Sequence, residues 1–184
     1  KVIIINNKNK NLNKFKSDAL ITKIKGIALG VVTADCVPII LFDKQNHIIG
    51  CIHAGWKGAF SGIIENTIKH FKKLNAKNKI YAAIGPCIGK KSYEVDLTFY
   101  KKFIAKSNNN RIYFVNKKIN KKLFNLRKYV NDKLIKLNVK VDHIRKDTFN
   151  EKGSFFSYRR SQKLGQSDYG RCISVIALTK FSQN

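Results

Sequence analysis

Short apolar runs separated by polar and glycine-containing segments dominate this chain and predict a protein with many short strands. The clearest pattern lies at 37–52, where two apolar runs flank a polar turn at 43–46 and predict a β-hairpin. Residues 6–16 are rich in Asn and Lys and predict a loop. Further strands are predicted at 2–5, 18–22, 26–33, 79–84, 112–115, 139–144 and 172–178.

Helical spacing replaces strand alternation in three places. Apolar residues between 60 and 71 recur at helical intervals, which predicts an amphipathic helix. A longer helix is predicted at 123–137 and a short one at 99–104. Because helices alternate with hairpins and no repeat or linker divides the chain, we expect a single α+β domain over 1–184, with a mixed β-sheet and flanking helices.

Composition agrees with one globular domain and indicates a compartment. The chain has 184 residues, 43% of them hydrophobic, so it can bury a core and is neither disordered nor fibrous. It contains no apolar run of membrane-spanning length, and residues 1–13 lack the features of a signal peptide. The cysteines are too few and too scattered for a disulfide framework, which predicts a reducing, cytoplasmic setting. Cys51 and Cys172 lie in strand patterns and are expected to be buried.

The formal charge of +26 raises the question of a nucleic-acid partner. The cations are spread along the whole chain as 31 Lys and only 6 Arg, accompanied by 19 Asn. That composition is typical of AT-rich coding at tolerant surface positions, so a nucleic-acid partner is not favoured. A basic RNA-binding module is kept as an alternative function. The same charge would attract small anionic substrates.

Cys36 and His53 stand at the two open ends of the predicted hairpin, which would bring thiol and imidazole together. They could hold a zinc ion with an open position, or form a metal-free Cys/His nucleophile site. They could also be a packed cysteine beside a hydrogen-bonded histidine. Zinc would need a third protein ligand, and His47, His70 and His143 all lie in unrelated parts of the pattern.

Arginine is scarce here, so its positions are informative. Arg159, Arg160 and Arg171 lie within thirteen residues, which predicts a bidentate grip on phosphate or carboxylate. The alternative is a solvated loop in which an arginine pairs with Asp147 or Asp168.

A second anion site is predicted where the hairpin passes into the following helix. Gly55 and Gly58 lie at this turn, and backbone N–H groups at a helix start attract anions, which Lys57 would reinforce. The glycines could equally serve the turn alone.

Several short motifs follow one another along the chain. They are Thr33-Ala34-Asp35-Cys36-Val37-Pro38, His53-Ala54-Gly55-Trp56-Lys57-Gly58, Gly85-Pro86-Cys87-Ile88-Gly89, Tyr93-Glu94-Val95, Phe155-Phe156-Ser157-Tyr158-Arg159-Arg160 and Gly170-Arg171. Together and in this order they resemble the YfiH family. Its members have been called laccase-domain or multicopper polyphenol oxidases and are now regarded as purine nucleoside phosphorylases with adenosine deaminase side activity.

The resemblance implies a monomeric fold related to the catalytic domains of cytotoxic necrotizing factors, and a zinc held by one Cys and two His. Cys36 and His53 match two of these ligands. The other His of the family precedes a β run like 2–5, so here it is expected upstream of Lys1. The missing initial Met leads to the same expectation of an absent N-terminal segment. Four His cannot build the clusters of a multicopper oxidase, so copper is not expected.

The implied function is zinc-dependent phosphorolysis of adenosine, inosine and guanosine, with methylthioadenosine as a further candidate, together with deamination of adenosine. The expected partners are a nucleoside and phosphate, with no membrane. A metal-free Cys/His hydrolase, such as a peptidoglycan-precursor editing enzyme, is the alternative enzyme. The expected catalytic residues are Cys36, His53 and Asp35, of which Asp35 would orient His53 or the base, and the expected substrate-binding residues are Lys57, Arg160 and Arg171.

Overall fold

A mixed six-stranded sheet forms the centre of the computed structural model, which describes residues 1–8, 16–74 and 79–179. Its strand order is β1-β2-β5-β4-β6-β10, with parallel pairs at the two ends and antiparallel pairs between them. The strands of the chain are β1 (Val2–Ile5), β2 (Ala19–Thr22), β3 (Ala28–Thr33), β4 (Val37–Asp43), β5 (Ile48–Ala54), β6 (Tyr81–Ile84), β7 (Glu94–Asp96), β8 (Phe114–Lys118), β9 (Lys121–Phe124), β10 (Lys140–His143) and β11 (Cys172–Ala177).

Two smaller sheets complete the architecture. Strands β3 and β11 pair antiparallel and cover one face of the central sheet, enclosing a small core that includes Leu29, Ile49 and Cys51. Strands β7, β9 and β8 form a three-stranded sheet. The structure therefore confirms the predicted α+β domain with a mixed sheet.

All the described helices except the last contribute to a second and larger core against the central sheet. The helices are α1 (Trp56–Phe60), α2 (Ile63–Lys73), α3 (Leu97–Lys106), α4 (Leu126–Lys136) and α5 (Tyr158–Lys163). The apolar face of α2 is fully buried at Ile64 and Phe71, as its helical spacing requires. Phe103 of α3 and Val130 of α4 belong to the same core. No helix in the described ranges has the length and apolarity needed to cross a bilayer.

Three predicted elements differ in detail from the structure. The helix expected over 60–71 is two helices, because Gly62 takes a left-handed φ of 91° between α1 and α2. The strand expected at 112–115 starts only at Phe114, after a 3₁₀ helix over Asn108–Tyr113. Leu123, expected in a long helix, lies in β9, and α4 starts only at Leu126, after Asn125, whose side chain caps the helix.

The structure also bears on the expected burial of two cysteines and on the predicted loop. Cys51 is buried as predicted, whereas Cys172 is only half-buried, because β11 lies in an outer two-stranded sheet. The loop prediction at 6–16 falls largely on 9–15, which lies outside the described residues.

Candidate active site

The hairpin β4–β5 brings Cys36 and His53 together at one end of the central sheet. Val37 pairs with Ala54 and Pro38 with His53, so Cys36 faces Gly55 across the open end. A Cβ placed on Gly55 would lie 2.8 Å from Cys36 Sγ and 3.9 Å from His53 Nε2. A side chain at Gly55 would therefore displace the thiol, and the glycine leaves both donor atoms facing one small space.

The carboxylate of Asp35 is buried and fully engaged near the start of β4. Its Oδ1 accepts a hydrogen bond from Thr148 Oγ1 at 2.7 Å. Its Oδ2 accepts bonds from Ser157 Oγ at 3.0 Å and from the backbone N–H of Arg159 at 2.6 Å. The backbone of Asp35 has φ 83°, a conformation that Asp tolerates better than most residues. These bonds fasten the 148–159 segment to the site, and the expected role of Asp35 in orienting His53 or the base stays a prediction.

A cavity of about 270 Å³ opens beside Cys36. Three aromatic side chains line it, those of Trp56, Tyr93 and Tyr158, together with the guanidinium-bearing Arg159. Trp56 is held in place by Phe99, with ring centroids 4.8 Å apart. Aromatic faces and one planar cation suit a flat heterocyclic ligand that carries or accompanies an anion.

The neighbouring arginines have different surroundings. Arg160 donates to the carbonyl oxygens of Thr148 and Phe149 at 2.7 and 2.9 Å, and its NH2 group donates to Phe155 O at 2.5 Å. The guanidinium of Arg160 thus braces a loop, and its predicted substrate-binding role stays a prediction. Arg159, which the sequence places with Arg160 and Arg171 in the predicted anion grip, lines the cavity and donates from NH1 to Glu94 O at 2.7 Å.

The other predicted anion-binding residues lie outside this cavity. Lys57 is exposed, with Nζ 5.7 Å from the centre of the Trp56 ring. Arg171 is exposed and stacks over Tyr169, whose ring in turn contacts Tyr158. Helix α1 has only five residues, so the anion site expected at its N-terminus rests on a little over one helical turn.

Burial keeps both members of the Cys36–His53 pair uncharged. Desolvation, with a contribution from Asp35 and Cys87, raises the pKa of the Cys36 thiol to about 11. Desolvation also lowers the pKa of His53, although Asp18 acts in the opposite direction. A reactive thiolate–imidazolium pair requires the reverse shifts, so these surroundings disfavour the metal-free nucleophile.

The donor chemistry fits part of a zinc site. A thiol and a neutral imidazole facing one space are borderline-soft donors that Zn²⁺ prefers, and the metal would displace the thiol proton. Within 1–8, 16–74 and 79–179, no group of three or more His, Cys, Asp or Glu side chains converges to hold a metal. His70 Nδ1 instead contacts Asn66 O at 2.8 Å, and His143 Nε2 contacts Asn131 Oδ1 at 3.0 Å.

The fold and this site define a YfiH-like protein. The structure matches that of YfiH from Bacillus licheniformis with a TM-score of 0.80 and 28% identity, covering 89% of this chain and 62% of that one. The family model described as multi-copper polyphenol oxidoreductase laccase matches residues 1–179. The chain belongs to this family.

Among the relatives with similar sequences are a purine nucleoside phosphorylase and an adenosine deaminase. A purine nucleoside phosphorylase of Rickettsia conorii is 37% identical over 165 residues, which are 89% of this chain and 68% of the relative. An adenosine deaminase of an unknown prokaryotic organism is 43% identical over 79 residues, which are 42% of this chain and 30% of the relative. The predicted resemblance to purine nucleoside phosphorylases and to an adenosine deaminase is thus confirmed.

Proposed function

We propose that this protein is a purine nucleoside phosphorylase that also deaminates adenosine, acting on adenosine, inosine, guanosine and methylthioadenosine. In phosphorolysis a phosphate oxygen bonds to C1′ of the ribose while the bond from C1′ to the base nitrogen breaks. The base leaves with a proton and ribose 1-phosphate remains. The observation that carries this proposal is the cavity in which Cys36 and an aromatic wall meet the guanidinium of Arg159.

The aromatic wall supports a purine substrate. The rings of Trp56, Tyr93 and Tyr158 offer stacking faces for a base, and burial raises the pKa of Tyr93, so its hydroxyl stays a neutral hydrogen-bond donor. Arg159 stacks over Tyr93, with its guanidinium carbon 5.3 Å from the ring centre. One of its N–H groups is occupied by Glu94 O, which leaves others free for phosphate.

The metal in this proposal is zinc, held by Cys36 and His53 with a third protein ligand from beyond the described residues. When bound, the zinc would supply a water of lowered pKa for the deamination. Gly55 keeps space for both donors, and the lowered pKa of His53 keeps its imidazole in the neutral form that binds metals.

The assay that tests the function follows release of the free base from inosine by the full-length protein, purified without chelator. We expect base release to require phosphate and to yield ribose 1-phosphate, and ammonia release from adenosine to proceed without phosphate. Zinc content measured by mass spectrometry should be near one per chain. Base release that is equally fast without phosphate would identify a hydrolase, and turnover without zinc would overturn the metal assignment.

The two adjacent arginines give a prediction with a built-in control. Because Arg159 lines the cavity, Arg159→Gln should raise KM for phosphate about ten-fold, the cost of one charge-assisted hydrogen bond, with little change in stability. Because Arg160 braces three carbonyls, Arg160→Gln should lower the free energy of unfolding by about 2 kcal/mol. Phosphate titrations of the initial rate and urea unfolding measure the two effects. A larger KM change for Arg160→Gln would reverse our assignment.

A further inference from the structure

A second, larger cavity of about 620 Å³ lies behind the candidate active site and is strongly basic. Its volume is in the range of small-molecule binding sites. The cationic side chains that line it are Lys90, Arg127, Lys128, Arg145 and Lys146. One carboxylate, that of Asp147, lines it as well.

The carboxylate of Asp147 is committed to the loops around it. Its Oδ1 accepts hydrogen bonds from the backbone N–H groups of Gly89 and Phe149 at 2.9 and 3.1 Å. Its Oδ2 accepts bonds from Ser92 Oγ and Asn150 Nδ2 at 2.6 and 2.9 Å. These four bonds hold the carboxylate in place, and no cation among the described residues that line the cavity lies at ion-pair distance from it.

Three of the five cations lack an acidic partner. Lys128 pairs with Asp132 at 2.8 Å and Lys146 with Glu151 at 3.2 Å. Over the described ranges, no carboxylate lies at ion-pair distance from Lys90, Arg127 or Arg145.

The two arginines of the cavity are unlike each other. Arg127 donates to the carbonyl oxygens of Ile144 and Lys146, both at 2.5 Å, so it positions the end of β10 and the loop that follows. Arg145 is exposed and makes no comparable bond in the part of the chain described. In a chain that uses Lys by default, an uncommitted arginine in a basic cavity indicates a planar or multidentate anion.

A buried nitrogen in the cavity wall also lacks a partner. The amide of Asn131 donates to Asp132 at 3.1 Å, which directs its oxygen towards His143 Nε2. His143 Nδ1 is then buried with no hydrogen-bond partner among the described residues. Because Nε2 donates to Asn131, Nδ1 of the neutral ring is a hydrogen-bond acceptor, so it can take a donor group of a ligand but not a phosphate oxygen.

We propose that this cavity binds a small ligand through a di- or triphosphate group, at a site distinct from the candidate active site. The three cations without an acidic partner call for a multivalent anion, and phosphate oxygens match the fork of Arg145. The two cavities share a wall, because Ile88 and Leu126 face the candidate active site while their neighbours Gly89 and Asn125 line the basic cavity. An occupant of the basic cavity thus contacts the same two backbone segments that shape the other cavity.

The test measures binding by calorimetry at physiological ionic strength, where charges further apart than about 8 Å are largely screened. The probes are tripolyphosphate, adenosine triphosphate and adenosine. We expect both phosphorylated probes to bind with one-to-one stoichiometry. Arg145→Gln should weaken both about ten-fold, because one charge-assisted contact to phosphate is lost. Adenosine binding should not change.

Arg111→Gln is the matched control, since it makes the same substitution at another exposed arginine that does not line the cavity. If Arg111→Gln and Arg145→Gln weakened binding of the phosphorylated probes equally, the effect would come from the overall charge of the protein, and the proposal would be overturned. Binding of adenosine triphosphate without tripolyphosphate would overturn it too, as would displacement of tripolyphosphate by a single-stranded RNA that binds more tightly. Cys36→Ser should leave triphosphate binding intact, which separates this site from the proposed catalytic function.

Discussion

Cys36→Ser is expected to remove nucleoside turnover almost completely, by about 10³-fold or more, because it removes the thiolate from the proposed metal site. Serine keeps the size of the side chain beside Gly55, so the packing of the hairpin end is preserved. A hydroxyl is a poor ligand for zinc, so the zinc content should fall together with the rate. Phosphorolysis of inosine and deamination of adenosine should both be lost.

Cys172→Ser provides the matched control for this experiment. Cys172 is half-buried at the start of β11 and does not line the cavity beside Cys36. We expect it to keep wild-type turnover and zinc content. Full turnover in Cys36→Ser would contradict both the metal interpretation and the nucleophile interpretation of this thiol. Turnover lost with zinc retained would assign Cys36 a role apart from the metal.

Asp35→Ala should produce the largest loss of stability, about 3 to 5 kcal/mol in the free energy of unfolding. It removes an acceptor of three hydrogen bonds and leaves the buried hydroxyls of Thr148 and Ser157 without their partner. Alanine also tolerates the left-handed φ of 83° less well than Asp does. Asp35→Asn should lose less stability than Asp35→Ala, because the amide keeps one acceptor oxygen and asparagine tolerates this backbone conformation.

Asp43→Ala is the control that separates an effect on stability from an effect on substrate binding. Asp43 is also buried and also accepts three hydrogen bonds, but all come from Gln45 and Asn46 within its own turn. Both alanine variants should unfold at lower urea concentration. Below their transitions, Asp43→Ala should keep its KM for nucleoside, whereas Asp35→Ala should raise it, because Arg159 and Tyr158 lose their anchor. Equal KM values would show that Asp35 contributes stability alone.

The local parts of the fold could be predicted from the sequence because they depend on neighbouring residues. The hairpin at 37–52 is confirmed, since two adjacent apolar runs with a polar turn between them favour local antiparallel pairing. The helix prediction was wrong at Leu123, because its apolar side chain fits a helical stripe as well as a strand. Pairing of β9 with β7 and β8 places Leu123 in a strand. The amino-acid pattern of a short segment carries little information about such tertiary pairing.

The candidate site likewise has local features that the sequence predicts and long-range features that it does not. The juxtaposition of Cys36 and His53 follows from the hairpin and is present in the structure. The roles of Arg159 and Arg160 could not be told apart, because they are adjacent and chemically identical. Their surroundings differ only through contacts with Thr148, Phe149 and Glu94, which are distant in sequence or in another element. The useful signal was the scarcity of arginine, which marked the segment whose Arg159 lines the cavity.

The hairpin that joins Cys36 to His53 also bears on the order in which the site assembles. These two residues are 17 positions apart, whereas the bonds from Asp35 to Thr148 and Arg159 span 113 and 124 positions. Each doubling of a loop adds about 0.6 kcal/mol to the entropic cost of closing it. Local contacts of this kind also form early in folding. The thiol and imidazole of the proposed metal site can therefore meet before the 148–159 segment has closed over the cavity, so in this proposal metal capture and closure of the cavity are separable steps of folding.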